Sequence, residues 1–145
     1  MAFQLPDLTF ALEDLEPHMS RRTLALHHGK HHKGYIDKLN AATDGTDWAD
    51  RELREVVQES YGKRDLAAIF NNAAQAWNHA FFWLSATPRG GGSPEGELGL
   101  RIARDFGDMD GFKDRFRQVA TGQFGRSRCQ GTVSPAWGGL TIMWS

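Results

Sequence analysis

The stretch from Leu66 to Ala86 constrains the architecture of this chain more than any other. It carries Ile69, Phe70, Ala73, Trp77, Phe81 and Trp83 within what reads as one long helix. A helix with so dense an apolar load is normally buried, so another element must cover it. One other long helix is readable. Ser20 is a suitable N-cap, and the segment it opens runs to about Ala42, with Leu24, Ile36 and Leu39 supplying part of an apolar pattern.

The remaining segments are shorter. Residues 1–19 read as an irregular arm interrupted by Pro6 and Pro17, with Phe3, Leu5, Leu8 and Phe10 available to pack it onto a body. Asp44 and Gly45 mark a loop over Thr43 to Thr46, and Asp47 is placed to cap a short helix that turns Leu53, Val56 and Val57 inward. Thr87 to Pro94, with three consecutive glycines, is the clearest linker. Two helices are expected after it, over about 95–105 and 109–122, the first started by Ser93 and Pro94 and the second capped by Asp108. Beyond Gly125 no period is readable, and residues 126–145 are expected either to be disordered or to form a poorly packed strand.

Composition narrows the functional classes. The 145 residues hold 17 basic and 18 acidic side chains, a net charge of -1, which argues against nucleic acid as the main partner. No window of 18 consecutive apolar residues suggests a membrane span, and the opening MAFQLPDLTF does not resemble a signal peptide. Cys129 is the one cysteine, which excludes an intramolecular disulfide framework and suits a reducing compartment, with cytoplasm the default.

Five of the six histidines lie between His18 and His32. On an α-helix His27, His31 and Tyr35 stack along one face, while His28 and His32 form a second stripe rotated by about 100°. One stripe is then free to face a buried site and the other to face elsewhere. The second long helix has a stripe of its own, Asn72, Gln75 and His79, and His79 sits among Trp77, Phe81, Phe82 and Trp83. Each feature has an ordinary explanation. Histidines four apart are common on solvated helices, a histidine among aromatics is often hydrogen-bonded core, and a tyrosine on an apolar face is often packing. Two polar stripes on two facing helices are less easily explained that way. Imidazole suits zinc, copper, iron and nickel, so spacing alone selects no metal.

The motifs His27-His28-Gly29-Lys30-His31-His32 leading to Tyr35, and Phe70-Asn71-Asn72-Ala73-Ala74-Gln75-Ala76-Trp77-Asn78-His79, resemble the iron/manganese superoxide dismutase family. Phe3-Gln4-Leu5-Pro6, Leu15-Glu16-Pro17-His18, Gly90-Gly91-Gly92, Asp105-Phe106-Gly107 and Phe112-Lys113 fit in the same order, so the resemblance covers about residues 2–125. It implies a mostly α chain. A long antiparallel helical hairpin forms an N-terminal domain over 1–88, the opening helices of a truncated α/β C-terminal domain occupy 89–125, and a divergent tail occupies 126–145.

The resemblance also implies a chemistry: dismutation of superoxide to O2 and hydrogen peroxide at one iron, or manganese, that alternates between +3 and +2. His27 and His79 match two metal ligands. His31 and Tyr35 match the pair guarding the substrate channel and relaying protons. Gln75 matches the outer-sphere glutamine that bonds the metal-bound solvent, and its place on the second helix is an iron-type feature. Trp77 and Trp83 match aromatics walling the site. The family is homodimeric.

Likeness ends near Gly125. The family's other two ligands, an Asp and a third His, lie in a motif resembling Asp-x-Trp-Glu-His, and these residues contain none. Acidic residues stop at Asp114, leaving none in the last 31 residues, a pattern that a reading-frame change followed by an early stop would produce, as would natural divergence. The alternative function is therefore a non-catalytic remnant, or a helical module binding a partner through an exposed face, with at most a weak two-histidine site. A zinc site is less well supported, since no cysteine or carboxylate stands at ligand spacing near His79.

Overall fold

In a computed structural model the described residues are 2–122, with side chains, and the backbone of 129–133 and 140–144. Most of them are helical, and they fall into two compact units, residues 1–90 and 91–145.

The first unit is built on two long helical rods. Ser20 holds extended backbone, and its hydroxyl accepts the Thr23 amide at 3.2 Å, satisfying one of the donors that a helix start leaves unpaired. From there α1 (Arg21–Leu26), a π-helical segment (His27–His32) and α2 (Lys33–Thr43) run on without a break. The helix expected to end near Ala42 thus ends at Thr43, where Asp44 turns out of helical geometry and Gly45 takes a φ of 67°. A 3-10 turn follows over Asp47–Asp50, then α3 (Leu53–Ser60), a second 3-10 turn over Arg64–Leu66, and α4 (Ala67–Ser85). Where Asp47 is expected to cap one short helix, Thr46 caps the 3-10 turn instead, its Oγ1 accepting the Trp48 amide at 3.3 Å, and Asp47 lies inside the turn.

α4 packs against both α2 and α3, which answers the need of its apolar load for cover. Leu39, Val56, Ile69 and Ala73 form the buried core, with Phe3, Trp48, Leu53, Val57 and Leu66 packed around it. Full burial of a side chain such as Leu39 or Val56 contributes about 1.5–3 kcal/mol. Two tethers hold the N-terminal arm. Asn40 accepts the Phe3 amide at 2.8 Å and donates to the Phe3 carbonyl at 2.9 Å, and His28 Nε2 donates to the Pro6 carbonyl at 2.8 Å. Along α4, Trp77, Phe81 and Leu84 remain 44%, 50% and 76% exposed.

The second unit opens with α5 (Gly96–Phe106) and α6 (Met109–Gly122). α5 is entered through Glu95 rather than through Ser93 and Pro94, and it ends at Gly107, whose φ of 84° suits glycine. Asp108 caps α6 as expected, its Oδ1 accepting the Gly111 amide at 2.8 Å. Phe106 and Phe112 meet edge to face at 5.3 Å between the two helices. The tail departs from the expectation of disorder or one poor strand. β1 (Cys129–Val133) and β2 (Leu140–Trp144) pair antiparallel, from Cys129 with Trp144 to Val133 with Leu140, and α6 lies against both. Backbone pairing satisfies the amides and carbonyls of a segment that shows no amphipathic period. The rest of the expected tail lies outside the described residues. Among the described residues no helix is long and apolar enough to cross a membrane.

Candidate metal centre

The π segment decides how the histidine run meets α4. Its i→i+5 bonding places one extra residue in the turn, and π turns of this kind are frequent at functional sites. The α-helical expectation grouped His27 with His31 and Tyr35, and His28 with His32. The structure regroups them. His27 and His32, five apart, both face α4, and His31 turns outward to an exposed position with its ring 6.2 Å from that of His27. Tyr35 rejoins the cluster, its ring 5.2 Å from His79.

His27 and His79 meet across the hairpin, with ring centroids 5.0 Å apart and planes at 88°. His79 Nδ1 lies 2.7 Å from the Gln75 carbonyl one turn earlier on α4. A carbonyl oxygen only accepts, so Nδ1 carries the proton and Nε2 carries the lone pair. A ligating histidine is ordinarily held this way, with its second nitrogen donating to a carbonyl. The His27 pKa is lowered, first by burial and then by the charges of His79 and His31, a shift that favours the neutral ring, the form that keeps a lone pair for a metal. Gln75 is half-buried, one turn from His79, and its backbone is what the structure ties to that ring.

His32 is the feature that sequence reasoning missed. It is fully buried, its Nε2 lies 3.1 Å from the Ala76 carbonyl, and the Trp83 indole donates to its Nδ1 at 3.1 Å. Both nitrogens are thus engaged by α4, so His32 is no candidate ligand. Its ring stacks on that of His79 at 5.3 Å with 23° between planes. Burial, then the charge of His79, lower its pKa to about 4 against the opposing pull of the Ala76 carbonyl, and the charges of His28 and His27 lower it slightly further. A signal was present in the sequence: His32 lies four residues before Ile36 and eight after Leu24, on the same buried line.

Trp83 is 3% exposed and packs edge-on against His27 at 5.1 Å and His28 at 5.7 Å, so it walls the cluster. Trp77 lies on another side of α4, two residues before His79 rather than four after it. Among the described residues it makes no ring contact with the histidines. Phe82, 6.0 Å from His27, takes a place beside the cluster that Trp77 does not.

The donor set suits a metal as far as it goes. Two imidazoles face each other, and the second-nitrogen bond of His79 fits a ligand's role. Among the described residues no group of three His, Cys, Asp or Glu side chains is placed to hold an ion. A four-coordinate centre built on this pair would need its other ligands from outside the described residues.

Comparison with known proteins agrees with this geometry. The family model for iron/manganese superoxide dismutases, alpha-hairpin domain, matches residues 2–86. The chain belongs to the iron/manganese superoxide dismutase family, through the α-hairpin domain that carries the histidine cluster. It is 48% identical over 125 residues to the iron superoxide dismutase of Coxiella burnetii, a match covering 86% of this chain and 62% of that protein. It is 52% identical over 123 residues to the chloroplastic iron superoxide dismutase 2 of Arabidopsis thaliana, covering 85% of this chain and 40% of that protein. Identity to the iron superoxide dismutase of a Nostoc species is 48%, over 86% of this chain and 63% of the relative. The chain thus spans less than two thirds of the length of each of these relatives.

Proposed function

We propose that these residues form the two-histidine half of an iron superoxide dismutase centre. The observation that carries the reading is the pair His27 and His79, facing at 5.0 Å with His79 Nδ1 tied to the Gln75 carbonyl. Iron is favoured by the names of the relatives and by the place of Gln75 on the second long helix. Manganese is the alternative ion.

His27 and His79 would hold the ion through neutral imidazoles, a form that the lowered pKa of His27 favours. An iron ion held there would supply one-electron redox chemistry between its +3 and +2 states, by which two superoxides and two protons would give O2 and hydrogen peroxide. The Tyr35 phenol, beside His79, and the exposed His31 imidazole stand on the route from solvent and pass the protons that peroxide formation consumes. The Gln75 amide, one turn from His79, would orient groups at the ion. Phe82 and Trp83 exclude water from one side. The substrate is superoxide, and the assembly is a homodimer in which the remaining ligands are supplied from beyond the described residues. A reducing compartment, the cytoplasm by default, suits the single cysteine. The division into a hairpin domain over 1–88, the start of a C-terminal domain over 89–125 and a divergent tail belongs to the same reading.

The test is metal content per chain by inductively coupled plasma mass spectrometry, with a dismutation assay on the same sample. About one iron per chain with activity supports the proposal. Absence of both leaves the reading to a non-catalytic partner-binding module, which the exposed Trp77, Phe81 and Leu84 on α4 favour. Such a module forms a stable stoichiometric complex in native mass spectrometry.

A further inference from the structure

His27 opens the π segment and His32 closes it. The two side chains face the same helix, and they meet it differently. His27 presents its ring to that of His79 nearly perpendicular, at 5.0 Å and 88°. His32 is fastened twice, to the Ala76 carbonyl and to the Trp83 indole, each at 3.1 Å. Ala76 and Trp83 lie one turn either side of His79 on α4, at residues three before and four after it. The fastening therefore straddles the ligand position. His32 also lies flat against His79, at 5.3 Å and 23°, and so limits the rotation of a ring already tied at Nδ1 to Gln75.

We infer that His32 is a positioning residue, which pins the π segment to α4 on both sides of His79 and thereby fixes the separation and angle of the His27 and His79 rings without binding metal itself. This rests on the two-histidine reading for its purpose, since those are the rings that must converge. The pinning itself is a property of the metal-free hairpin. Sub-ångström misplacement matters at such a centre, because ligand geometry is set by the groups that hold the ligands as much as by the ligands. The inference also accounts for why a run of four histidines, His27, His28, His31 and His32, yields one ligand. His28 Nε2 is given to Pro6, both nitrogens of His32 are given to α4, and His31 points to solvent.

The first arm of the test needs no metal. In the full isotope-labelled chain, the ring protons of His27 and His79 give nuclear Overhauser contacts. In His32→Phe, which keeps a ring but neither nitrogen, these contacts are expected to weaken or vanish while circular dichroism reports unchanged helix. His32→Gln, whose amide still donates to the Ala76 carbonyl, is expected to keep part of them, and it serves as the folded variant if His32→Phe unfolds. Contacts unchanged from wild type in the folded variants overturn the inference. The second arm titrates cobalt(II) into the same proteins. Substitution of an outer-shell partner typically weakens metal binding about 10- to 100-fold, and that loss is expected for His32→Phe, with shifted cobalt d–d bands and partial rescue in His32→Gln. Wild-type affinity with unshifted bands in His32→Phe overturns the inference. His27→Ala and His79→Ala are the controls for the site. A wild-type chain that takes up no cobalt(II) counts against the two-histidine centre, and the Overhauser arm still decides the role of His32.

Discussion

Replacing His32 by Phe isolates the energetic side of its two hydrogen bonds. The aromatic ring keeps the volume and the stack on His79, so no large cavity opens. The Trp83 indole N–H, in a side chain only 3% exposed, then loses the Nδ1 acceptor at 3.1 Å. An orphaned buried donor costs about 1–3 kcal/mol. The Ala76 carbonyl suffers less, because an interior helix carbonyl also accepts the amide four residues on. The expected loss is therefore about 2 kcal/mol, read as a lower urea midpoint in equilibrium unfolding of the full metal-free chain. A double-mutant cycle separates the hydrogen bond from everything else. In a Trp83→Phe background the donor is already gone, so His32→Phe should cost far less there, with a coupling energy of about 1–2 kcal/mol. A loss below about 0.5 kcal/mol, or effects that add to within that margin, would refute the claim that this buried bond is made and matters.

Other perturbations test neighbouring parts of the argument. The His32 pKa is about 4 when folded, below the ordinary 6.5, so the unfolded chain takes up the proton first. Stability from this group is complete above pH 6.5 and falls as pH drops toward 4, by about 3 kcal/mol, and the slope should be clearly shallower in His32→Phe, where only the smaller contribution of the likewise lowered His27 remains, in urea titrations at several pH values. His79→Ala should abolish metal retention measured by mass spectrometry while leaving helix content intact; unchanged metal would dismiss the site. Leu39→Ala, at the fully buried centre of the core, should cost about 2–5 kcal/mol in the same unfolding assay. Ser20→Ala removes the cap on Thr23 and should cost about 1 kcal/mol.

The parts of the fold readable in advance are those specified by neighbouring residues. Ser20 starts the first rod, Asp108 caps α6, and the extent of α4 differs from the expected 66–86 by a single residue at each end. The pairing of His27 with His79 was legible through family motifs, and the structure brings those rings together. What was not legible depends on contacts distant in sequence. The same six residues, His27 to His32, satisfy α or π bonding locally, and the choice rests on which face His32 presents to Ala76 and Trp83 more than forty residues on. For the same reason His31, expected on the same stripe as His27, takes an exposed position 6.2 Å from it, and of the two tryptophans expected to wall the site Trp83 packs on His27 while Phe82 stands where Trp77 does not. The β1–β2 pairing escaped notice because residues 126–145 show no amphipathic period, so only the partner strand reveals either strand.

The π segment also makes the chain unequally sensitive to two kinds of genetic change. Gly29 sits in open space, where an added Cβ meets nothing within 4 Å, so Gly29→Ala should pass almost unnoticed. Removing that residue is also tolerable, because the wide turn already absorbs one residue more than an α-helix needs: with one fewer the segment closes as an ordinary α-helix, and Leu24, Ile36 and Leu39 keep their common face. Adding a residue is another matter. A second extra residue has no wide turn left to absorb it, so everything upstream would rotate by about 100° relative to everything downstream, and His27 would swing away from α4. Over His28 to His31 the chain should tolerate substitution, and the loss of one residue, far better than the gain of one.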